Sequence, residues 1–317
     1  MKDEIQISIV SPVFKAENIV DKLCERLLKN LEQITSYFEI ILIEDGSNDN
    51  SWKKIVENTK KDKRIKGIKL SKNFGQQNAI FCGLKQTSGE WVIVMDCDLQ
   101  DNPDNIIDLY NKATSGYDIV FAKRINRKDK FWKKKFSELF YFLFNFISGE
   151  NIDGTVANFG VYNKKVINSI NSIEQPSRIF SVTAKSIGFK KISVNVEHEN
   201  SLYKKSTYTF FQLINFAFDY ALTYTQRPLK IAITIGFIIT LFSLITSTYY
   251  LVSYLNGSIK QLGFTTIVLS IWFLSGLIIF IIGIVGLYVG KTFENTKNKQ
   301  QFIIDKKVNL SSNESNA

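Results

Sequence analysis

Apolar residues in the first 125 positions fall in short runs separated by polar, helix-length stretches. Ile5 to Val10, Phe38 to Ile43, Ile65 to Leu70, Trp91 to Met95 and Tyr117 to Ala122 each read as a strand. Trp91 to Met95 is continuous and apolar, the pattern of a strand buried on both faces of a mostly parallel sheet. The first run breaks at Ser11-Pro12. Glu17 to Leu31 puts Ile19, Val20, Leu23, Leu27, Leu28 and Leu31 on one face of a helix. Further helices are predicted from about Ser51, from Gly75 to about Gln86, and from Asp101-Asn102-Pro103-Asp104. Strand and helix alternate with short connections, so a doubly wound α/β domain is expected.

Beyond position 122 the pattern changes. Lys123 to Lys135 hold eight basic residues and one acid, interleaved with Phe131 and Trp132, and an aromatic-rich apolar stretch follows to Ile147. A basic segment feeding an apolar helix predicts an amphipathic helix over about 129–148 in a membrane interface. Ile231 to Ile259 and Gln261 to Gly290 contain no charged residue, and Lys260 divides them. Twenty-five helical residues span about 37 Å against a hydrocarbon core of about 30 Å, so two transmembrane helices are expected, at about 231–255 and 264–290. Lys204, Lys205, Arg227 and Lys230 precede the first span, and Lys291, Lys297, Lys299, Lys306 and Lys307 follow the second. That bias places the large domain and both termini in the cytoplasm of a multi-pass inner-membrane protein. The expected organisation is a domain over 1–228, a membrane unit over 229–292 and a polar tail over 293–317. Gly276, Gly283 and Gly290, with Gly286 alongside, leave a smooth stripe that could serve a homo-oligomer.

The chain has 317 residues and a net charge of +10. With membrane spans present, an anionic surface or phosphorylated substrates account for that charge better than nucleic acid does. Cys24, Cys82 and Cys97 lack metal spacing and read as reduced thiols. No apolar signal core opens the sequence, so no cleaved secretion signal is expected.

Three predicted strand ends carry polar, mostly acidic residues: Ser11-Pro12 with Glu17 beyond, Glu44-Asp45, and Asp96-Cys97-Asp98. Parallel strands bring such ends to one edge, where α/β sheets bind ligands. In an extended segment Asp96 and Asp98 would share one face. Two hard oxygen ligands suit Mg²⁺ or Mn²⁺, completed by substrate phosphates. No Gly-x-Gly-x-x-Gly follows the first strand, which argues against a dinucleotide fold.

Ser11-Pro12-Val13-Phe14 with Glu17, Glu44-Asp45-Gly46-Ser47, Leu70-Ser71-Lys72-Asn73-Phe74-Gly75-Gln76-Gln77 and Met95-Asp96-Cys97-Asp98-Leu99-Gln100-Asp101 resemble the successive motifs of family 2 glycosyltransferases. More closely they resemble the polyprenyl-phosphate (undecaprenyl or dolichyl) transferases, along with the interfacial helix and two spans. The resemblance implies a GT-A fold and an inverting enzyme that moves one sugar from a nucleotide sugar to a polyprenyl phosphate. It implies donor binding around Pro12, Phe14, Glu17, Asp45, Lys72, Gly75 and Asp96. A divalent metal would lie at Asp96 and Asp98, with Gln100 nearby. Arg124, Arg127 and Ser206 would meet the lipid phosphate. Asp96, Asp98, Arg124 and Asn158 form the implied catalytic set.

Two departures stand out. Many members have Gly-Asp-Phe-Arg where this chain has Ala157-Asn158-Phe159-Gly160, so the acid often assigned as base is Asn158. His198-Glu199-Asn200-Ser201 lacks the Arg of the family's His-x-x-Arg. These departures motivate a second reading, a non-catalytic scaffold that binds a nucleotide sugar. A processive polysaccharide synthase is disfavoured, because Gln175-Pro176-Ser177-Arg178 is followed by Ile179 and not by Trp.

Overall fold

The computed structural model describes residues 4–125, 156–173, 179–197, 227–256, 263–296 and 301–310. Arg127, the interfacial helix expected over 129–148, His198 and Ser206 lie outside these residues. The chain divides into two units. One holds Met1–Asp129, Asp153–Ser206 and Asn298–Ala317, and the other holds Lys130–Ile152 and Thr207–Lys297.

The first unit is built on eight strands: β1 (Ile7–Val13), β2 (Phe38–Glu44), β3 (Ile65–Leu70), β4 (Trp91–Val94), β5 (Ile119–Ile125), β6 (Val156–Asn163), β7 (Lys191–Glu197) and β8 (Ile304–Val308). Their order is β7-β5-β6-β4-β1-β2-β3-β8. β1, β2, β3 and β4 run parallel, as do β5 and β7, while β6 and β8 run antiparallel to their neighbours. The helices are α1 (Val20–Leu31), α2 (Ser51–Lys61), α3 (Gln76–Leu84), α4 (Ile106–Thr114), α5 (Lys164–Ser172) and α6 (Phe180–Ser186), with a 3₁₀ turn at Pro103–Asn105.

Strand periodicity divides the core into two layers. Ile9, Val13, Ile40 and Leu42 pack with Leu23, Leu27 and Leu109, from α1 and α4. Val10, Ile41 and Ile43 pack with Ile80, Phe81, Ile167 and Phe180, from α3, α5 and α6. Both faces of the sheet are therefore covered, which is why its central strands are buried at every position. Asn102 caps the 3₁₀ turn, its side chain accepting from the Asp104 N–H, with Pro103 at the first helical position.

Several expected boundaries move. β1 does not stop at Ser11-Pro12 but runs to Val13, with Pro12 in register with Ile43. Pro is tolerated there because pairing of β1 with β4 ends at Val10–Val94, so Pro12 has a neighbouring strand on one side only. α1 begins at Val20, which leaves Glu17 outside the helix. The polar tail supplies β8, pairing Gly67 with Val308 and Leu70 with Ile304. Asp305, Lys306 and Lys307 are exposed along this edge strand, whose charge masks its strand pattern.

The second unit contributes α7 (Arg227–Leu255) and α8 (Phe264–Thr296). Among the described residues one segment, Phe273–Gly290, is long and apolar enough to cross a membrane, with a mean hydropathy of 2.5. A Cβ on Gly236 of α7 would lie 3.6 Å from Ile281 of α8, whereas Gly276, Gly283, Gly286 and Gly290 have nothing within 4 Å. The glycine stripe is thus not used between these two helices.

Candidate functional site

The carboxyl ends of β1, β2, β3, β4, β5 and β7 and the amino end of β6 share one sheet edge. The strand order reverses between β1 and β4, and such a switch point opens a crevice beyond the strand ends. Asp96 and Asp98 emerge there.

They do not lie in an extended segment, as the sequence suggested. β4 ends at Val94, and Cys97 and Asp98 lie in a turn. The shared face of an extended strand therefore does not explain their juxtaposition. Gln76 Nε2 donates to Asp96 Oδ1 at 2.7 Å, and the Gln100 N–H donates to Asp98 Oδ1 at 3.1 Å. Leu99, between them, has φ +57°, a left-handed conformation that a branched side chain rarely adopts. Strain of this kind gathers where a turn must aim functional groups. The Cys97 thiol receives the Phe14 backbone N–H, and burial pushes it up to about 12.

The end of β2 is locked to the loop after β3. Asp45 is buried, and its two oxygens accept from the Phe74 N–H at 2.7 Å and the Gly75 N–H at 3.0 Å. Burial pushes the Asp45 carboxyl above its usual value, while those two amides pull it down. Gly46 makes the approach possible. It has φ +64°, and a Cβ there would sit 2.3 Å from the Lys72 carbonyl carbon and the Asn73 nitrogen. Gly75 needs its own φ of +90° to enter α3. The Lys72 ammonium lies 5.2 Å from the Phe74 ring centre.

Glu44 is buried, with Oε1 taking the Ser47 N–H. Its Oε2 and the Ser11 hydroxyl are buried without a hydrogen-bond partner. Val13 pairs with Glu44 in the parallel ladder, so Ser11 and Glu44 share a face on adjacent strands. Glu17 Oε2 accepts from the Asn50 N–H at 2.9 Å and its side-chain amide at 3.1 Å, so Glu17 holds the start of α2. Phe14 is exposed and Pro12 buried.

On the other side of β4, β6 pairs Val94 with Gly160. Asn158 lies two residues before Gly160, at the amino end of β6 and so at the same sheet edge as the end of β4, although the ladder with β4 ends at Val94 and that with β5 shifts register between Phe121 and Lys123. The Asn158 backbone carbonyl accepts from the Tyr162 hydroxyl at 3.3 Å. Arg124 lies in β5 opposite Val196, at the same edge.

The structure therefore gathers Pro12, Phe14, Glu17, Asp45, Lys72, Gly75, Asp96, Asp98, Gln100 and Asn158, with the Arg124 backbone, along one edge. Gln76 and Glu44 were missed as contributors. Both sit inside the quoted motifs, but only contact across the fold shows Gln76 reaching Asp96 and Glu44 left with an unpartnered oxygen. No group of three or more His, Cys, Asp or Glu is placed to hold a metal among the described residues. Two carboxylates still fit an ion that takes its remaining oxygens from a substrate diphosphate and water.

A mostly parallel α/β sheet with acidic strand ends meeting at its switch point defines a domain suited to phosphorylated ligands. Residues 8–170 match the domain described as Glycosyl transferase family 2, and the chain belongs to that family. It is a glycosyltransferase. The undecaprenyl-phosphate 4-deoxy-4-formamido-L-arabinose transferase of Proteus mirabilis is 28% identical, covering 96% of this chain and 94% of its own. CsbB of Bacillus subtilis, also named as a glycosyltransferase, is 30% identical over 96% of this chain and 92% of its own. Among solved structures, glucosyl-3-phosphoglycerate synthase of Mycobacterium tuberculosis shares the fold, with a TM-score of 0.51 and 15% identity over 70% of this chain and 80% of that one.

Proposed function

We propose that the protein is a membrane-bound inverting glycosyltransferase that moves one sugar from a nucleotide sugar to a polyprenyl phosphate, undecaprenyl phosphate in a bacterium. The product would serve cell-surface glycan synthesis or modification. The carrying observation is the convergence at the end of β4. Asp96 and Asp98 emerge there with Glu44, Asp45 and the Lys72–Gly75 loop on one side, which we read as the donor side, and the strand ends carrying Arg124 and Asn158 on the other, which we read as the acceptor side. Relatives that match nearly the whole chain are named as undecaprenyl-phosphate transferases.

On the donor side, Pro12, Phe14 and Lys72 border the nucleotide. Asp45 and Gly75 act by holding the loop, because both Asp45 oxygens are already committed to backbone amides. Glu44 Oε2 and the Ser11 hydroxyl are buried acceptors to which a donor N–H or a water can bind. Asp96 and Asp98, with Gln100 beside them, would hold Mg²⁺ or Mn²⁺. That ion would offset the charge growing on the departing diphosphate.

On the acceptor side, Arg124 and Arg127, with Ser206, attract and orient the lipid phosphate. A phosphate oxygen forms the bond to the anomeric carbon as the bond from that carbon to the diphosphate breaks. With a second pKa near 6 this phosphate is already largely anionic at pH 7, so it needs aiming more than deprotonation. Asn158 is compatible with that demand.

The helix containing Phe273–Gly290 anchors the protein, and α7, free of charge from Ile231 to Leu255, is the other span. The tail after α8 rejoins the first unit's sheet as β8, so this end of α8 opens to the compartment of the catalytic domain. Together with the basic flanks, this supports the reading of the catalytic domain and tail as cytoplasmic.

Membranes holding the protein should transfer label from a nucleotide sugar to undecaprenyl phosphate, with activity lost on chelation and restored by Mg²⁺ or Mn²⁺. Asp98→Asn should abolish transfer while the fold survives. No turnover across a broad donor panel would favour the scaffold reading, and products longer than one sugar would favour a processive synthase.

A further inference from the structure

The donor loop is gripped from outside the crevice as well as from within, and the outer grip comes from the chain's tail. The Ser71 N–H donates to the Ile303 carbonyl at 2.9 Å, at the point where β3 passes into the Lys72–Gly75 loop. The Lys85 ammonium lies 5.4 Å from the Phe302 ring centre, and Lys307 Nζ donates to Gln86 at 3.2 Å. Lys85 and Gln86 sit at the carboxyl end of α3. The tail thus holds the segment 71–86 at both ends. Phe302, Ile304 and Leu310 pack against the same core layer as Phe74, and Asn309 donates to the Thr59 and Ile65 carbonyls at 2.8 and 2.9 Å.

Between those two ends lie the groups that shape the crevice. Phe74 and Gly75 supply the amides that hold Asp45, and Gln76 supplies the bond to Asp96. The β3–β8 register shifts between Lys69 and Leu70, immediately before this loop.

We infer that the β8 tail, through Phe302, Ile303 and Ile304, is a positioning element for the donor side of the site, setting the 71–76 loop and through Gln76 the orientation of Asp96. These residues touch neither donor nor acceptor. Their effect passes through hydrogen bonds and packing already in the fold. Removing the aromatic anchor frees Ile303 to drift, and the loop then loses its outer support while Asp45 and Gly46 remain.

The test uses the full chain in detergent or nanodiscs carrying Phe302→Ala, with Phe302→Leu as the milder variant and Lys306→Ala as the control on the exposed side of β8. Hydrogen exchange is read in the ligand-free protein. The expected result is exchange at least tenfold faster in the 71–76 segment of Phe302→Ala, an intermediate value for Phe302→Leu, and no change in β1 or in the Lys306→Ala control. Unchanged exchange at 71–76 overturns the inference, and so does equal acceleration across the whole sheet, which reports only lost stability. This readout stands apart from the glycosyl-transfer reading. Where the parent chain turns over a nucleotide sugar, the inference rests on that reading and adds a second expectation. KM for that donor should rise about five- to tenfold while KM for the polyprenyl phosphate holds. Equal rises in both would overturn it.

Discussion

Replacing Gly46 by Ala should separate the two loops that frame the donor side. Gly46 sits at φ +64°, so any side chain there costs about 1 kcal/mol in the left-handed region. The steric term is larger. The new Cβ would meet the Lys72 carbonyl carbon and the Asn73 nitrogen at 2.3 Å, and both are backbone atoms that cannot rotate away. The loop must retreat by roughly 1 Å to reach ordinary contact. The Asp45 bonds to the Phe74 and Gly75 amides, now 2.7 and 3.0 Å, then stretch or break and leave a buried carboxylate short of donors. Hydrogen bonds to a charged group are worth about 1.5–3 kcal/mol each. With partial loss of both, the total is about 3–5 kcal/mol, or roughly 10 °C in the thermal midpoint of a domain this size. The assay is thermal unfolding of the purified full chain, followed by donor KM. Gly46→Ala and Asp45→Asn should be strongly non-additive, because both act through the same two amides. A Gly46→Ala protein with the parent's midpoint and donor KM would refute the reasoning.

Gln76→Ala removes the 2.7 Å bond to Asp96, and kcat/KM should fall about fivefold with more metal needed for half-activity; an unchanged metal requirement would count against Gln76 as the group that aims Asp96. Asn58, Arg64, Asn30 and Lys165 hold the carboxyls of Asp21, Asp62, Asp104 and Asp118 below the ordinary 3.8. Their stabilisation is complete above that value and is lost as pH falls through the folded values, so denaturant midpoints should be flat above about pH 5 and drop below about pH 4. Asp45, pushed the other way, contributes stability below 3.8 that is lost as pH rises through its folded value; a midpoint that climbs as pH falls toward 3.8 would mean its effect outweighs that of the lowered carboxyls. Asn158→Asp should change transfer to a polyprenyl phosphate by less than tenfold, measured as kcat at saturating donor; a gain of a hundredfold or more would show that the chain lacks a needed base.

The crevice was legible in the sequence because its residues occupy the ends of strands, and strands buried on both faces announce themselves by continuous apolar runs. Trp91 to Met95 ending at Asp96 is such a case. What sits after position 125 was harder to read. β6 carries Gly160 between Phe159 and Val161 where Val120 approaches, and β7 reads Lys191-Ile-Ser-Val-Asn-Val-Glu197, partly buried and alternating. Neither gives the continuous apolar run that marked β2 and β4. β8 is shorter still, with two apolar residues at its ends and charge between them, and its pairing with β3 spans more than 230 positions of chain. Of the three non-glycine residues with positive φ among those described, Lys15 and Leu99 carry no signal in their identity, whereas Asn309 is of a type that adopts that conformation readily. Gly46 and Gly75 could be read as turns, but the reason for Gly46 lies in a loop 26 residues away.

The two sides of the crevice differ in how firmly they are determined, and the difference follows the chemistry. On the donor side each recurring acid has a structural partner: Asp45 on two amides, Glu44 on Ser47, Asp96 on Gln76, Asp98 on Gln100. A diphosphate leaving group carries several charges, so the groups that meet it must be fixed before it arrives, and a fixed constellation needs many such bonds. The acceptor makes a different demand. If the acceptor is the polyprenyl phosphate proposed above, its phosphate brings its own nucleophilic charge, and an arginine on the end of β5 would need only to reach it. An acid at position 158 would add a like charge near an incoming anion, a cost of about 4 kcal/mol for charges about 4 Å apart at the effective dielectric near a protein surface. An amide at position 158 removes that cost and keeps hydrogen-bonding capacity. The departure at Asn158 is then a substitution that an anionic acceptor tolerates better than a hydroxyl acceptor would, which agrees with the proposed phosphate acceptor and is what the Asn158→Asp measurement tests.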